Sequence, residues 1–251
     1  ELNSRYDQAG TYSQLGTLAQ ARRQWNLAKD YYQQVLQIFL AFNDKYNQAK
    51  TYRQLGQVAQ SQRHWMQAES YYQQALKIFS AINERCEQAN TLVQLGMLAR
   101  SQRDWEEARR FYEEALALFA KMDERYDQAS TYHKLCIVTQ AQCLWQEAED
   151  YARKALHLYI DLNNLHLQAN MYGQLGILAR AQQAWQQARE HFLHALQIYV
   201  GNGDNHSAGI ILGDLAWLWR ESGDTELPAA IASVLNVSVA EIEERLQRKN
   251  R

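Results

Sequence analysis

The stretch Leu55-Gly56-Gln57-Val58-Ala59-Gln60-Ser61-Gln62-Arg63-His64-Trp65-Met66-Gln67-Ala68 decides the fold, because its landmarks return every forty residues. Leu-Gly stands at 15/16, 55/56, 95/96 and 175/176, and Leu135-Cys136 fills the fourth place. Trp25, Trp65, Trp105, Trp145 and Trp185 keep the same interval, as do Ala28, Ala68, Ala108, Ala148 and Ala188. Residues 1–40 match 41–80 at 21 of 40 positions. A period of twenty to fifty residues is the mark of a solenoid, in which each repeat buries its apolar face only against its neighbours. The spacing divides the chain into five repeats, 1–40, 41–80, 81–120, 121–160 and 161–200, followed by a degenerate sixth repeat and capping helices over 201–251.

Within a repeat two apolar stripes run at helical spacing: Ala9, Tyr12, Leu15/Gly16 and Ala19, then Ala28, Tyr31/Tyr32, Val35 and Ile38/Phe39. A polar turn, Ala21-Arg22-Arg23-Gln24, separates them. The small residues Gly16 and Ala28 are expected to let two helix backbones approach, with a buried Trp25 filling the space beside them. One proline and eleven glycines in 251 residues leave few helix breakers, so the expected fold class is all-α. An apolar content of 47% and a formal charge of −2 suit a folded, soluble chain and exclude a grossly basic one. Three cysteines, Cys86, Cys136 and Cys143, do not recur with the repeat and read as reduced thiols of a cytoplasmic protein. No leader peptide and no apolar run of membrane length is visible. Opening inside a repeat at Glu1 is what a piece of a longer protein would show.

Tyr12, Leu15, Gly16, Ala28, Tyr32 and the alanines Ala75, Ala115, Ala155 and Ala195 resemble the signature of the tetratricopeptide repeat. The repeat is longer than that family's usual one, and Leu40, Ser80, Ala120, Ile160 and Val200 occupy the place of its proline. The second helix is therefore expected to run on by a turn before Phe42-Asn43-Asp44-Lys45. This variant is similar to the forty-residue repeats of Pins/LGN scaffolds and to arrays at the sensing end of bacterial signalling ATPases. The resemblance implies a right-handed α-solenoid of five helical hairpins with a C-terminal capping segment, and a first helix of each hairpin (helix A) that lines a concave wall.

Five helix-A windows, 8–23, 48–63, 88–103, 128–143 and 168–183, contain no acidic residue. They hold Arg22, Arg23, Lys50, Arg53, Arg63, Arg100, Arg103, Lys134 and Arg180. A basic concavity recruits acidic ligands. The family's groove positions, carried over by register, give Lys50, Arg53, Gln57 and Gln60 in the second repeat, and Asn90, Val93, Met97 and Arg100 in the third. The fourth and fifth give Ser130, His133, Ile137 and Gln140, then Asn170, Gly173, Ile177 and Arg180. Gln54, Gln94 and Gln174 add amides that can hold an extended peptide backbone, while Val93, Met97, Ile137 and Ile177 offer an apolar strip. The carboxylate clamp of some relatives needs Lys and Asn where Ser13 and Thr17 stand, so that ligand is disfavoured.

The first expectation is thus a protein–protein interaction scaffold that binds an extended, acidic peptide in a basic concave groove. The alternative is a sensor or autoinhibitory repeat module of a larger signalling ATPase or protease, with its catalytic domain elsewhere in the parent chain. Nucleic-acid binding ranks last, because the groove positions lack stacking aromatics. No catalytic residues are expected: the pairs Glu106-Glu107 and Glu113-Glu114 fall on an outer face, and no nucleophile with a base and an orienting acid can be assembled. No cofactor and no metal are expected, since His191 and His194 lack a third ligand. In the tail, Ile211, Leu215, Trp217 and Leu218 read as a sixth helix A, Pro228 as the opening of a short helix, and Ser238 as the cap of another. The acidic Glu241, Glu243 and Glu244 argue against a DNA-binding helix-turn-helix there.

Overall fold

A computed structural model describes residues 2–248, which form thirteen α-helices and, among the described residues, no strand. The helices fall into two compact units, the first ending at Asp123 and the second beginning at Glu124. The first holds α1 (Leu2–Ala21), α2 (Trp25–Ala41), α3 (Lys45–Ser61), α4 (Trp65–Ala81), α5 (Arg85–Ser101) and α6 (Trp105–Lys121). The second holds α7 (Arg125–Ala141), α8 (Trp145–Asp161), α9 (Leu165–Ala181), α10 (Trp185–Gly201), α11 (Asn205–Ser222), α12 (Leu227–Leu235) and α13 (Val239–Arg248). Odd-numbered helices up to α11 are helices A; the even-numbered ones through α10 are helices B. In each unit consecutive helices pair into antiparallel hairpins, and each hairpin stacks on the next, the architecture of an α-solenoid.

The helices stop where they do because of a turn repeated every twenty residues, half the visible period. Arg23, Asn43, Arg63, Asn83, Arg103, Asp123, Cys143, Asn163, Gln183 and Gly203 all have positive φ, between 52° and 72°. After each of several such residues, a backbone N–H reaches back to the carbonyl five residues earlier. Gln24 to Ala19 at 2.8 Å, Asp44 to Phe39 at 3.0 Å and His64 to Ala59 at 2.9 Å are examples. This is the Schellman arrangement, which satisfies the orphan carbonyls of a helix end. Turns leaving helices B use Asn, Asp and Gly, which tolerate the left-handed region, whereas turns inside hairpins use Arg, Cys and Gln. The side chains of Asp44, Asn164 and Asp204 then cap the next helix by accepting from the amides of Asn47, Leu167 and Ser207. Gln48 and Gln168 lock the same corner, donating Nε2 to the carbonyls of Phe39 at 2.8 Å and Tyr159 at 3.1 Å.

The hairpin core differs from the expectation in one respect. Trp25, Trp65, Trp145 and Trp185 open their helices and are only half-buried. Tyr32, Tyr72, Tyr112 and Phe192 are fully enclosed instead, each lying against a helix-A glycine of its own hairpin, and Phe79, Phe119 and Tyr159 are buried as completely. A tryptophan at the first residue of a helix overhangs its end, so its indole cannot be covered on every side. In the fourth hairpin Cys136 replaces the glycine and Ala152 replaces the ring, and both are buried in one cluster.

The second unit is closed by α12 and α13. Leu227, Ile231, Ala232, Ile242 and Leu246 join the core of α10 and α11, so the apolar end of the hairpin stack is covered. Pro228 lies in the first turn of α12, and Ser238 Oγ accepts from the amide of Glu241 at 3.3 Å. Arg189 of α10 pairs with Asp224 at 2.9 Å and holds the loop entering α12.

Candidate functional site

Side chains of successive helices A meet within each unit, which makes a continuous wall of them. In the first unit Tyr6 of α1 donates its hydroxyl to Asp44 Oδ2 before α3 at 2.7 Å, and Tyr46 of α3 donates to Glu87 Oε1 of α5 at 3.1 Å. One face of α3, with Ala49, Leu55, Gly56, Val58 and Ala59, is buried. Lys50, Arg53, Gln54 and Gln57 emerge half-buried from the rest of that helix. On α5 the buried Ala89, Leu92, Leu95 and Leu98 leave Asn90, Gln94, Met97 and Arg100 half-buried in the same way. A shallow groove between α1 and α3 is lined by Thr17, Gln20, Trp25, Tyr32, Gln54 and Gln57. Its rim is therefore amides and its floor aromatic.

The cations divide into two groups. Arg22, Arg23, Arg63 and Arg103 lie at the turns within hairpins and are exposed, away from the helix walls. Lys50, Arg53 and Arg100 stand on the wall of the first unit, but Arg53 is bound to Glu87 of the next helix A and lies over the Phe79 ring at 5.7 Å. Lys50 lies over the Tyr46 ring at 5.4 Å. Glu87 is one residue before the acid-free window, and that margin hid it from the charge count. Arg100 has no ion-pair partner among the described residues.

In the second unit His133 sits half-buried on α7, and Asn170, Gln174 and Arg180 half-buried on α9. Gln174 Nε2 donates to Gln140 Oε1 at 2.5 Å, linking the two helices. Arg180 pairs with Asp214 Oδ1 of α11 at 2.7 Å and stacks over Trp217 at 4.8 Å. Asn170 Oδ1 accepts from Tyr199 at 2.5 Å, and Lys134 Nζ donates to Ser130 Oγ at 2.7 Å. Several groups expected to await a ligand are thus engaged, Gln174 and Arg180 with neighbouring hairpins and Asn170 and Lys134 within their own. Val93 and Ile177, expected as apolar seats, are half-buried and pack onto their own cores.

The hydroxyls of the buried tyrosines point at this wall. Tyr72 donates to Gln60 Oε1 at 2.8 Å, and Tyr32 to Gln20 Oε1 at 3.3 Å while also meeting Thr17 Oγ1 at 3.2 Å. Burial raises both hydroxyls above the usual tyrosine value. Burial likewise pushes the Cys136 thiol up to about 12, which leaves it a protonated packing group. His191 and His194 both lie near the Tyr172 ring, at 6.2 and 5.2 Å between ring centres. Among the described residues no three His, Cys, Asp or Glu side chains gather as metal ligands, and no helix is long and apolar enough to cross a membrane.

The profile of the tetratricopeptide repeat family matches residues 7–81, 87–161 and 167–227. No protein of curated function matches the sequence significantly. Among solved structures, BtubC (BKLC) from P. vanneervenii is 17% identical, with a TM-score of 0.70 over 98% of this chain and 91% of that one. The tetratricopeptide repeat sensor-bearing STAND protein PH0952 from Pyrococcus horikoshii is 16% identical, with a TM-score of 0.77 over 97% of this chain and 39% of that one. A Rap protein complexed with competence and sporulation factor is 15% identical, with a TM-score of 0.60 over 96% of this chain and 76% of that one. At these identities the likeness is one of fold.

Proposed function

The chain belongs to the tetratricopeptide repeat family, and on that premise we propose that it is a protein–protein interaction module holding an extended, acidic segment of a partner against its helix-A wall. The observation that carries this reading is the row of half-buried amides, Gln54 and Gln57 on α3 and Asn90 and Gln94 on α5, beside Lys50 and Arg100. An extended peptide must exchange water for new hydrogen-bond partners along its backbone, and amides carry both donors and acceptors. Lys50 and Arg100 supply charge for acidic side chains, whereas Arg53 and Arg180 serve the array itself. Solenoid walls of this kind commonly present extended binding surfaces. The Rap structure, described as a complex with competence and sporulation factor, supports a bound-factor reading by fold likeness.

Selection from a randomised library of twelve-residue peptides tests the proposal. Acidic peptides should be enriched, and the double substitution Gln54→Ala/Gln94→Ala should weaken them about tenfold or more, as expected for two or more lost hydrogen bonds. Enrichment of no peptide, or of peptides indifferent to both substitutions, would overturn it. A second reading, a sensor module of a larger signalling ATPase, draws on the likeness to the STAND protein, of which the matching part is 39%. A nucleotide-binding motif in the same gene would favour it.

A further inference from the structure

Tyr112 is fully buried, and its hydroxyl is among the buried polar atoms that have no hydrogen-bond partner. The cause lies in two substitutions on α5. Tyr72 finds the carbonyl of Gln60, and Tyr32 finds Gln20 and Thr17. At the same places in the third hairpin stand Arg100, which can only donate, and Met97, which has no hydroxyl. The Tyr112 ring lies against Gly96 as Tyr72 lies against Gly56, so its hydroxyl is aimed one turn further along α5, at the base of Arg100. Burial pushes that hydroxyl up to about 12, with the Arg100 charge acting on it in the opposite sense. An orphaned donor aimed at the turn that carries Arg100, and a cation with no ion-pair partner among the described residues, lack the same thing, an anionic acceptor.

We propose that Arg100 and Tyr112 form a carboxylate-binding subsite that receives one aspartate or glutamate side chain of the bound segment. This rests on the reading of the helix-A wall as a peptide-binding surface. The carboxylate would accept from Tyr112 Oη with one oxygen and pair with the Arg100 guanidinium through the other. Arg100 and Met97 are half-buried on flexible side chains, so the hydroxyl can be uncovered without moving the backbone. A neutral amide in the ligand offers a weaker acceptor to both groups, and the subsite therefore selects acid over amide.

The test uses two pools of synthetic twelve-residue peptides, randomised alike but carrying glutamate in one pool and glutamine in the other at a fixed central position. The wild-type chain should retain the glutamate pool about tenfold better, the range expected of a charge-assisted contact. Arg100→Gln reproduces the Gln60 pairing and should bring the ratio to about one. Tyr112→Phe should lower the ratio severalfold, and Phe192 shows that a phenyl ring fits this place in a hairpin. Circular dichroism confirms that both variants are folded. A preference unchanged in either variant overturns the subsite while leaving the groove reading intact. A wild-type chain that retains neither pool overturns the groove reading and the subsite with it.

Discussion

A methyl group built on Gly56 would stand 2.6 Å from Cε1 of Tyr72, so the ring occupies the space that any side chain at this point of α3 would need. Tyr72 is fully buried and cannot swing aside. The same relationship holds between Gly96 and Tyr112 and, with a phenyl ring, between Gly176 and Phe192. Cys136 and Ala152 show the other solution, a side chain on helix A and none on helix B.

Exchanging one solution for the other should therefore reveal strong coupling. Gly56→Cys alone is expected to cost about 1–3 kcal/mol through overpacking, and Tyr72→Ala alone about 3–5 kcal/mol through the cavity it leaves. The double variant should be more stable than the sum of the two predicts, by about 1 kcal/mol or more. Denaturant unfolding of the four proteins measures the coupling. Strict additivity would contradict the close packing of these two residues.

The pair Arg53–Glu87 joins consecutive hairpins, and both side chains are more than four-fifths buried. A double-mutant cycle with Arg53→Gln and Glu87→Gln should give a coupling of about 1–2 kcal/mol. Charge reversal at Arg53 should accordingly lower Tm, since it sets two carboxylates against each other. Reversal at Arg100, which has no carboxylate partner among the described residues, should leave Tm nearly unchanged. Thermal unfolding of the two reversals distinguishes the structural cation from the one available to a ligand.

His191 is expected to make stability pH-dependent in the neutral range. Burial, and then the nearby Arg153 charge, hold its pKa below the ordinary 6.5, and its Nδ1 has no hydrogen-bond partner. The unfolded chain takes up the proton more readily, so stability is fully present above 6.5 and declines as pH falls below it. Tyr31, Tyr71 and Tyr151 stand at the corresponding places. His191→Tyr should therefore behave like the wild type at pH 8 and exceed it in Tm at pH 5. Equal Tm values at pH 5 would contradict this assignment.

Asp44 gives the opposite boundary. Desolvation raises its pKa, but hydrogen bonds from the amide and side chain of Asn47 and from Tyr6 outweigh it and hold the carboxyl below 3.8. Its contribution is present above 3.8 and is lost as pH falls through the lower folded value. Asp44→Asn keeps a cap acceptor of the kind Asn164 provides but does not titrate. The Tm of the wild type should fall more steeply than that of the variant below pH 3.8, followed by circular dichroism.

How much of this was legible follows from where each signal is stored. Helix periodicity and the forty-residue landmarks are local, so the hairpins and the all-α class could be read from Leu55, Gly56, Trp65 and Ala68 and their counterparts. The twenty-residue turn was half hidden: Asn43, Asn83, Asn163 and Gly203 announce a left-handed residue, whereas Arg63, Arg103, Cys143 and Gln183 do not. That Tyr72 is enclosed while Trp65 is half-buried is not legible, because identity at a fixed spacing says nothing about how completely a ring is covered.

The sequence by itself determined the repeat, its helices and the basic bias of helices A, since each depends on residues close together in the chain. Tertiary structure alone decided which charges remain to meet a partner. Arg53 is matched by Glu87 and Arg180 by Asp214, across a gap of 34 residues, while Tyr112 and Arg100 are left without the acceptor that Gln60 gives Tyr72. Pairing of that kind is set by the approach of side chains from different helices, and no count along the chain records it.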